Sequence, residues 1–72
     1  MNFTIDVFIN GKKYNLKLKK HITLQQLIKL LYVNDTGVVL EYNKSITPKD
    51  MWNEMYLQAN DNIEILTIVG GG

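Results

Sequence analysis

Few residues in this chain have the types and spacing that side-chain chemistry requires. There is no cysteine and a single histidine, His21, which excludes a thiolate nucleophile, a disulfide and any cysteine-based metal or iron–sulfur site. Ser45 belongs to no nucleophile motif, and Gly11 and Gly37 are isolated rather than part of a phosphate-binding loop. The sequence therefore predicts that the chain is not an enzyme acting through its own side chains.

Three glycines, Gly70, Gly71 and Gly72, close the sequence. Glycine lacks a Cβ and adopts almost any backbone conformation, so three in a row would form a thin, flexible tail. Such a tail fits a narrow channel and would bring the α-carboxylate of Gly72 to a reacting centre. A frayed terminus or a linker remnant would have the same composition, and the rest of the chain has to distinguish these interpretations.

Length and composition predict one small domain. A chain of 72 residues with 46% hydrophobic content fits a single core near the lower size limit for folding without covalent cross-links. Asn2, Thr4 and Asp6 interrupt the apolar residues at the amino terminus, and no apolar run approaches the ~18 residues of a membrane span. We therefore expect a soluble, intracellular protein that does not associate with membranes.

The charges are unevenly distributed along the chain. Residues 1–29 contain six lysines and one carboxylate, whereas residues 30–72 contain two lysines and six carboxylates. All eight cations are lysine, and arginine, the residue best suited to bidentate contacts with bases and phosphates, is absent. The pattern favours the solvated face of a hairpin over a nucleic-acid-binding surface.

The first half predicts a β-hairpin followed by a helix. Residues 3–9 and 14–18 alternate between apolar and polar types, and Asn10-Gly11 between them is a strong signal for a type I′ turn. Thr23 and Gln26 have the spacing of a capping box at a helix start. The apolar stripe of an amphipathic helix follows, at Leu24, Leu27, Ile28 and Leu31.

The second half predicts short strands around one helical turn. Thr47 and Pro48 have the types expected at the N-cap and first position of a helical turn that reaches Trp52. The other predicted elements, in chain order, are a turn at 34–37, a strand at 38–42, a turn at 43–44, a brief strand at 55–57, a turn at 59–62 and a final strand at 63–69.

These elements predict an α+β fold of the β-grasp, or ubiquitin-like, type: a mixed sheet of about four to five strands covered by one main helix. The final strand is expected to lie parallel to the first, with the helix in the crossover between them. The domain should span residues 1–68, and residues 69–72 should form the flexible tail. The predicted core comprises Ile5, Val7, Leu16, Leu18, Leu27, Ile28, Leu31, Leu40, Trp52, Leu57, Ile63 and Ile65.

Several apolar residues fall on the face of the sheet opposite this core. Phe8, Leu66 and Ile68 are on that face by alternation, and Val69 follows them directly. Exposed apolar residues on a sheet are candidates for contact with a partner, although isolated ones are common on protein surfaces. Because the last strand leads straight into the glycines, these four residues are predicted to bind a partner close to the terminus.

The second half also carries a specific combination of residues. It contains Leu40-Glu41-Tyr42-Asn43, then Ile46, Pro48, Trp52 and Leu57, and finally Asp61-x-Ile63-Glu64-Ile65 leading into Val69-Gly70-Gly71-Gly72. This combination resembles the ThiS family of thiamine-biosynthesis sulfur carriers, and the resemblance extends over essentially the whole length. One departure is Ala59-Asn60-Asp61 in place of the family's Asp-Gly-Asp. Asn60 tolerates the left-handed conformation, so the turn is expected to survive.

The resemblance implies a carrier whose active group is the Gly72 carboxylate, delivered by Gly70 and Gly71. It implies three partners: an E1-like, ThiF-like adenylyltransferase that uses ATP and Mg²⁺, a sulfur donor such as a cysteine desulfurase, and a ThiG-like thiazole synthase. The carrier itself would hold no cofactor or metal, be a monomer when free, and work in the bacterial cytoplasm or the plastid stroma.

Three other functions share this tail or this fold. They are the small subunit of molybdopterin synthase, a ubiquitin-like modifier joined to target lysines, and an interaction domain whose glycines have no chemical role. The Leu-Glu-Tyr-Asn stretch and the segment around Trp52 favour the thiamine carrier.

Overall fold

The computed structural model describes residues 1–32 and 34–68. Within them the chain forms β1 (Phe3–Ile9), β2 (Lys12–Leu18), α1 (Leu24–Leu31), β3 (Val38–Tyr42), β4 (Ser45–Thr47), a 3-10 helix (Lys49–Glu54) and β5 (Asn62–Thr67). These strands make one sheet in the order β2-β1-β5-β3-β4. β1 and β5 pair in parallel, and the other neighbours pair antiparallel. The predicted β-grasp fold is therefore confirmed.

Local sequence signals explain the first half of the fold. Asn10 and Gly11 both have positive φ, 50° and 81°, as a type I′ turn requires. At the start of α1 the Gln26 N–H donates to the Thr23 hydroxyl oxygen at 3.2 Å, and the Thr23 N–H donates to the Gln26 side-chain oxygen at 2.9 Å. The predicted hairpin turn and capping box are both present.

The core lies between α1 and one face of the sheet, and it differs from the predicted core at the helix. Leu24, omitted from the prediction, is fully buried, whereas Leu31 is 49% exposed and was wrongly assigned to the core. Leu31 is the last residue of α1, and Tyr32 packs against the core beyond it. Leu16 and Leu18 are only half-buried at its margin. The buried apolar residues are Ile5, Val7, Leu24, Leu27, Ile28, Leu40, Trp52, Leu57, Ile63 and Ile65.

The segment around Pro48 corrects the prediction of a Thr47 N-cap. Thr47 ends β4, a strand that the sequence did not predict, and its hydroxyl donates to the Ser45 carbonyl at 3.1 Å. Pro48 is the N-cap of the 3-10 helix, with φ −59° and ψ 147°. The buried indole of Trp52 donates to the Thr47 carbonyl at 2.9 Å, which ties the short helix to β4.

Two predicted strand boundaries also change. The brief strand expected at 55–57 is reduced to a single bridge between Thr23 and Tyr56. β5 begins one residue earlier than predicted and ends at Thr67, with Ile68 beyond it and Val69 outside the described residues.

Candidate functional site

The predicted reactive group lies beyond the described part of the chain. Gly70, Gly71 and Gly72, and the predicted contact residue Val69, are outside the described residues. The described part of the site consists of β5, the strand that leads to them, and the elements that hold β5 in place.

The Asn10 side chain takes over the pairing with β5 at the point where the backbone of β1 ends. Backbone pairing between the two strands covers only the start of β5, with Phe8 opposite Asn62 and Ile9 opposite Ile63. Further along, the Ile65 N–H donates to the Asn10 side-chain oxygen at 2.6 Å, and the Asn10 amide donates to the Ile65 carbonyl at 3.2 Å. Asn10 thus satisfies the N–H and the carbonyl of Ile65, a residue beyond the part of β5 that pairs with the β1 backbone.

A buried carboxylate fixes the start of β5. Asp61 accepts hydrogen bonds from the Gln58 N–H at 2.7 Å, from the Asn43 side-chain amide at 3.2 Å and from the Tyr42 hydroxyl. Burial raises the pKa of Tyr42 above its ordinary value, and the hydrogen bond to Asp61 and the negative charge of Asp61 raise it further. These contacts lock the turn before β5 to the end of β3.

The solvent face of the sheet carries exposed apolar side chains near the end of β5. Leu66 and Ile68 are 66% and 65% exposed. Val39 on β3 lies directly opposite Leu66 and is half-buried, and Ile46 on β4 is 72% exposed. The sequence did not identify Val39 and Ile46 as part of this surface. Alternation within a strand shows on which face of the sheet a residue lies, but it does not show which strands are neighbours.

Phe8, the third described member of the predicted contact surface, lies apart from the other two. It is half-buried and sits opposite Asn62, four residues before Leu66, or about 13 Å along the strand. The structure therefore brings Leu66 and Ile68 together with Val39, and it places Phe8 elsewhere on the same face.

Two carboxylates face each other beside this apolar surface. Glu41 on β3 and Glu64 on β5 are direct partners in the antiparallel register, and both are half-buried. Like charges directly opposite each other weaken a sheet. The solvent face thus combines apolar surface with a local negative charge.

The described residues offer little for side-chain catalysis. His21 is exposed, with its ring 4.9 Å from that of Phe3, on an open groove of about 560 Å³. This groove lies at the opposite end of the β1–β5 pair from Ile68. Across residues 1–32 and 34–68 no group of three or more His, Cys, Asp or Glu side chains could hold a metal, and no helix is long and apolar enough to cross a bilayer.

A mixed sheet with parallel first and last strands, one covering helix and this strand order define a ubiquitin-like β-grasp protein. The fold is similar to the crystal structure of the thiamine biosynthesis protein ThiS from Geobacter metallireducens, with a TM-score of 0.79 and 22% sequence identity. The match covers 94% of this chain and 100% of that one. The ThiS family model matches residues 7–72, and the chain belongs to the ThiS family.

Two relatives are similar to this chain over most of its length. The sulfur carrier protein ThiS of Bacillus subtilis (strain 168) is 38% identical over 65 residues, covering 89% of this chain and 96% of that protein. The protein ycf40 of Trieres chinensis, described as uncharacterized, is 43% identical over 65 residues, covering 90% of this chain and 86% of its own length. Family membership and the Bacillus relative support a sulfur carrier role.

Proposed function

We propose that this chain carries sulfur as a thiocarboxylate on Gly72 and donates it to the synthesis of the thiazole ring of thiamine. The observation that carries this proposal is the match of the ThiS family model to residues 7–72, which include the terminal glycines. The relative from Bacillus subtilis, named as a sulfur carrier, supports the same role.

The proposed chemistry begins with activation of the carboxylate. A carboxylate resists nucleophiles because it is negatively charged and has no good leaving group. An E1-like, ThiF-like partner would use ATP and Mg²⁺ to convert the Gly72 carboxylate into an acyl adenylate, releasing pyrophosphate. The carrier would bind neither ATP nor a cofactor of its own, because both act in the partner.

Sulfur transfer would follow from the acyl adenylate. A persulfide sulfur, supplied by a donor such as a cysteine desulfurase, attacks the acyl carbon and AMP leaves. A thiol then cleaves the S–S bond and releases the terminal thiocarboxylate. Division into two covalent steps replaces one difficult substitution by two easier ones. The thiocarboxylate is a soft nucleophile that a ThiG-like thiazole synthase can use.

In this proposal the folded body and the tail have separate tasks. The body would bind the adenylating partner through the solvent face of the sheet, at Leu66 and Ile68, with Phe8 and Val69 as further contacts. Val39, opposite Leu66, would extend this surface. Docking the body would confine the Gly72 carboxylate near ATP, which raises its effective concentration. The chain acts here as a substrate carried between enzymes rather than as a catalyst.

The proposed location is the plastid stroma, with the bacterial cytoplasm as the alternative. The similarity to ycf40 of Trieres chinensis favours the plastid, and the Bacillus relative keeps the bacterial location open. We propose that the free chain is a monomer.

Intact mass spectrometry after incubation with an adenylating partner, ATP, Mg²⁺, a persulfide donor and a thiol tests the proposed function. The proposal predicts an ATP-dependent mass increase equal to the exchange of one oxygen for one sulfur. An amide-linked adduct with another protein would instead indicate a ubiquitin-like modifier. An unchanged mass with a partner that loads the Bacillus carrier in the same assay would contradict the proposal.

The sulfur acceptor needs a second assay. Loaded carrier is incubated with a thiazole synthase and, in parallel, with the large subunit of molybdopterin synthase, each supplied with the substrate that accepts the sulfur. The proposal predicts loss of the extra sulfur mass only with the first enzyme. Loss only with the second would assign the chain to molybdopterin synthesis.

A further inference from the structure

The backbone of β3 and its preceding turn hold the last described residue of the chain. The register that pairs Val38 with Thr67 continues one step further, because the Ile68 N–H donates to the Gly37 carbonyl at 2.7 Å. The Ile68 side chain is largely exposed, so burial contributes little to its position. The contact with Gly37 is what fixes the direction of the backbone at Ile68.

Gly37 is constrained in two independent ways. Its φ is +78°, a conformation that side-chain-bearing residues rarely adopt, and an added Cβ would lie 2.6 Å from the Ile68 carbonyl oxygen. Gly11 has nearly the same φ, +81°, but an added Cβ there would meet nothing within 4 Å. Both glycines therefore have a backbone conformation that favours glycine. Of the two, only Gly37 must also lack a side chain, because the Ile68 backbone approaches it closely.

The turn that contains Gly37 is itself anchored. The Val38 N–H donates to the Asp35 carbonyl at 3.2 Å, which closes the turn over Thr36 and Gly37. The Asp35 carboxylate accepts from the Lys49 ammonium at 2.9 Å and from the Gln25 amide at 3.3 Å. Because Asp35 is tied to both α1 and the 3-10 helix, a Cβ on Gly37 would displace Ile68 more readily than the turn.

We propose that Gly37 is a positioning residue, which sets the point and direction from which the chain leaves the sheet and so limits where the glycine tail can deliver the terminal carboxylate in the partner's adenylation centre. The inference rests on the proposed function. It assigns to Gly37 no contact with ATP or with the reacting atoms. Its effect is transmitted through the hydrogen bond and close approach to Ile68. A misplacement of about 1 Å at a reacting group is enough to slow a reaction by about a hundredfold.

The test compares Gly37→Ala with Gly11→Ala in the full chain. Both substitutions place a side chain at a similar positive φ, but only the Cβ at position 37 would press on Ile68, because a Cβ at position 11 meets nothing within 4 Å. For each variant, pyrophosphate release by the adenylating partner gives kcat and KM, calorimetry gives Kd for that partner, and hydrogen exchange reports the Ile68 amide. Gly37→Asn and Gly11→Asn form a second matched pair, since asparagine accepts the left-handed conformation and guards against loss of folding.

We expect Gly37→Ala and Gly37→Asn to lower kcat by about tenfold or more while Kd stays within about twofold. The Ile68 amide should exchange faster in both variants, and both Gly11 variants should keep the kcat of the unaltered chain. If the unaltered chain is adenylated normally but the Gly37 and Gly11 variants have equal kcat values, the positioning role of Gly37 is wrong and the proposed function still stands. Failure of the unaltered chain to be adenylated would overturn the proposed function, and the positioning role with it.

Discussion

At the scale of single residues, polar side chains hold the start of the strand that leads to the terminus. Asp61 gathers three donors at the entry to β5, among them the hydroxyl of Tyr42. A buried carboxylate with this many partners is costly to disturb, because removing it leaves several donors unsatisfied. The sequence predicted the turn around Asn60, which does have positive φ (70°), but not this network, since Tyr42 and Asp61 meet only through tertiary pairing.

The raised pKa of Tyr42 makes a specific prediction about alkaline stability. In the unfolded chain Tyr42 ionises at its ordinary pKa of about 10, whereas the folded chain retains the proton to higher pH. This contribution to the free energy of unfolding is fully present below about pH 10 and is lost as the pH rises towards the pKa of the folded state. The pH dependence of the free energy of unfolding is measured by urea unfolding, monitored by circular dichroism, between about pH 8 and pH 11.

Tyr42→Phe is the matched variant for this measurement. It should be less stable than the unaltered chain at neutral pH by about 1 kcal/mol, the net value of a typical hydrogen bond. Its stability should fall less steeply above about pH 10, because no phenol remains at this position to ionise. Parallel pH profiles for the two proteins would contradict the assigned coupling between Tyr42 and Asp61.

At the scale of elements, the sheet is completed by side-chain pairing as well as by strands. β1 ends before β5 does, and the Asn10 side chain bonds both backbone groups of Ile65 beyond that end. Asn10 therefore serves the hairpin turn and the parallel pair at once. The strand that leads to the proposed reactive terminus depends on Asn10, which lies 55 positions before Ile65 in the chain.

Asn10→Gly separates these two roles. Glycine keeps the positive φ of the turn but removes both hydrogen bonds to Ile65, so we expect a loss of about 1–3 kcal/mol in the free energy of unfolding. Hydrogen exchange at the Ile65 amide should accelerate. Asn60→Gly, at another turn of positive φ, is the control for the backbone effect. If the two variants were equally stable, the pairing role of Asn10 would be wrong.

Local signals predicted those elements that short segments determine by themselves. Asn10-Gly11 and the Thr23 capping box specify their turn and helix start from a few adjacent residues. β4 was missed because its three residues, Ser45–Thr47, are a strand only through pairing with β3. Leu31 was misplaced because periodicity gives the face of a helix but not where the neighbouring sheet ends.

At the scale of the whole molecule, the apolar part of the sheet's solvent face adjoins the end from which the terminus departs. Leu66 and Ile68 were predicted on this face from alternation alone, whereas Val39 and the Glu41–Glu64 pair required the strand order. The residues that β5 contributes to the site could be predicted, because alternation along one strand is visible in the sequence. The residues that neighbouring strands contribute could not be predicted, because the order of the strands depends on crossover connections.

Leu66→Ser tests the proposed docking surface. Leu66 is largely exposed, so the substitution should change the free energy of unfolding by no more than about 0.5 kcal/mol. Binding to the adenylating partner, measured by calorimetry, should weaken by about tenfold, as expected for loss of a central apolar contact. The control is Leu30→Ser, because Leu30 is 75% exposed but lies on α1, on the other side of the sheet. Equal Kd values for the two variants would rule out this surface.

The central claim is that sulfur resides on the terminal carboxylate of Gly72. The most direct measurement is fragmentation mass spectrometry of the sulfur-loaded chain, run beside a variant that lacks Gly72. The account predicts that the extra mass of sulfur lies in the fragment containing Gly72. It also predicts that the shortened variant folds normally, with an unchanged circular dichroism spectrum and melting temperature, but acquires no sulfur. Sulfur located in any other fragment, or loading of the shortened variant at the normal rate, would contradict the account.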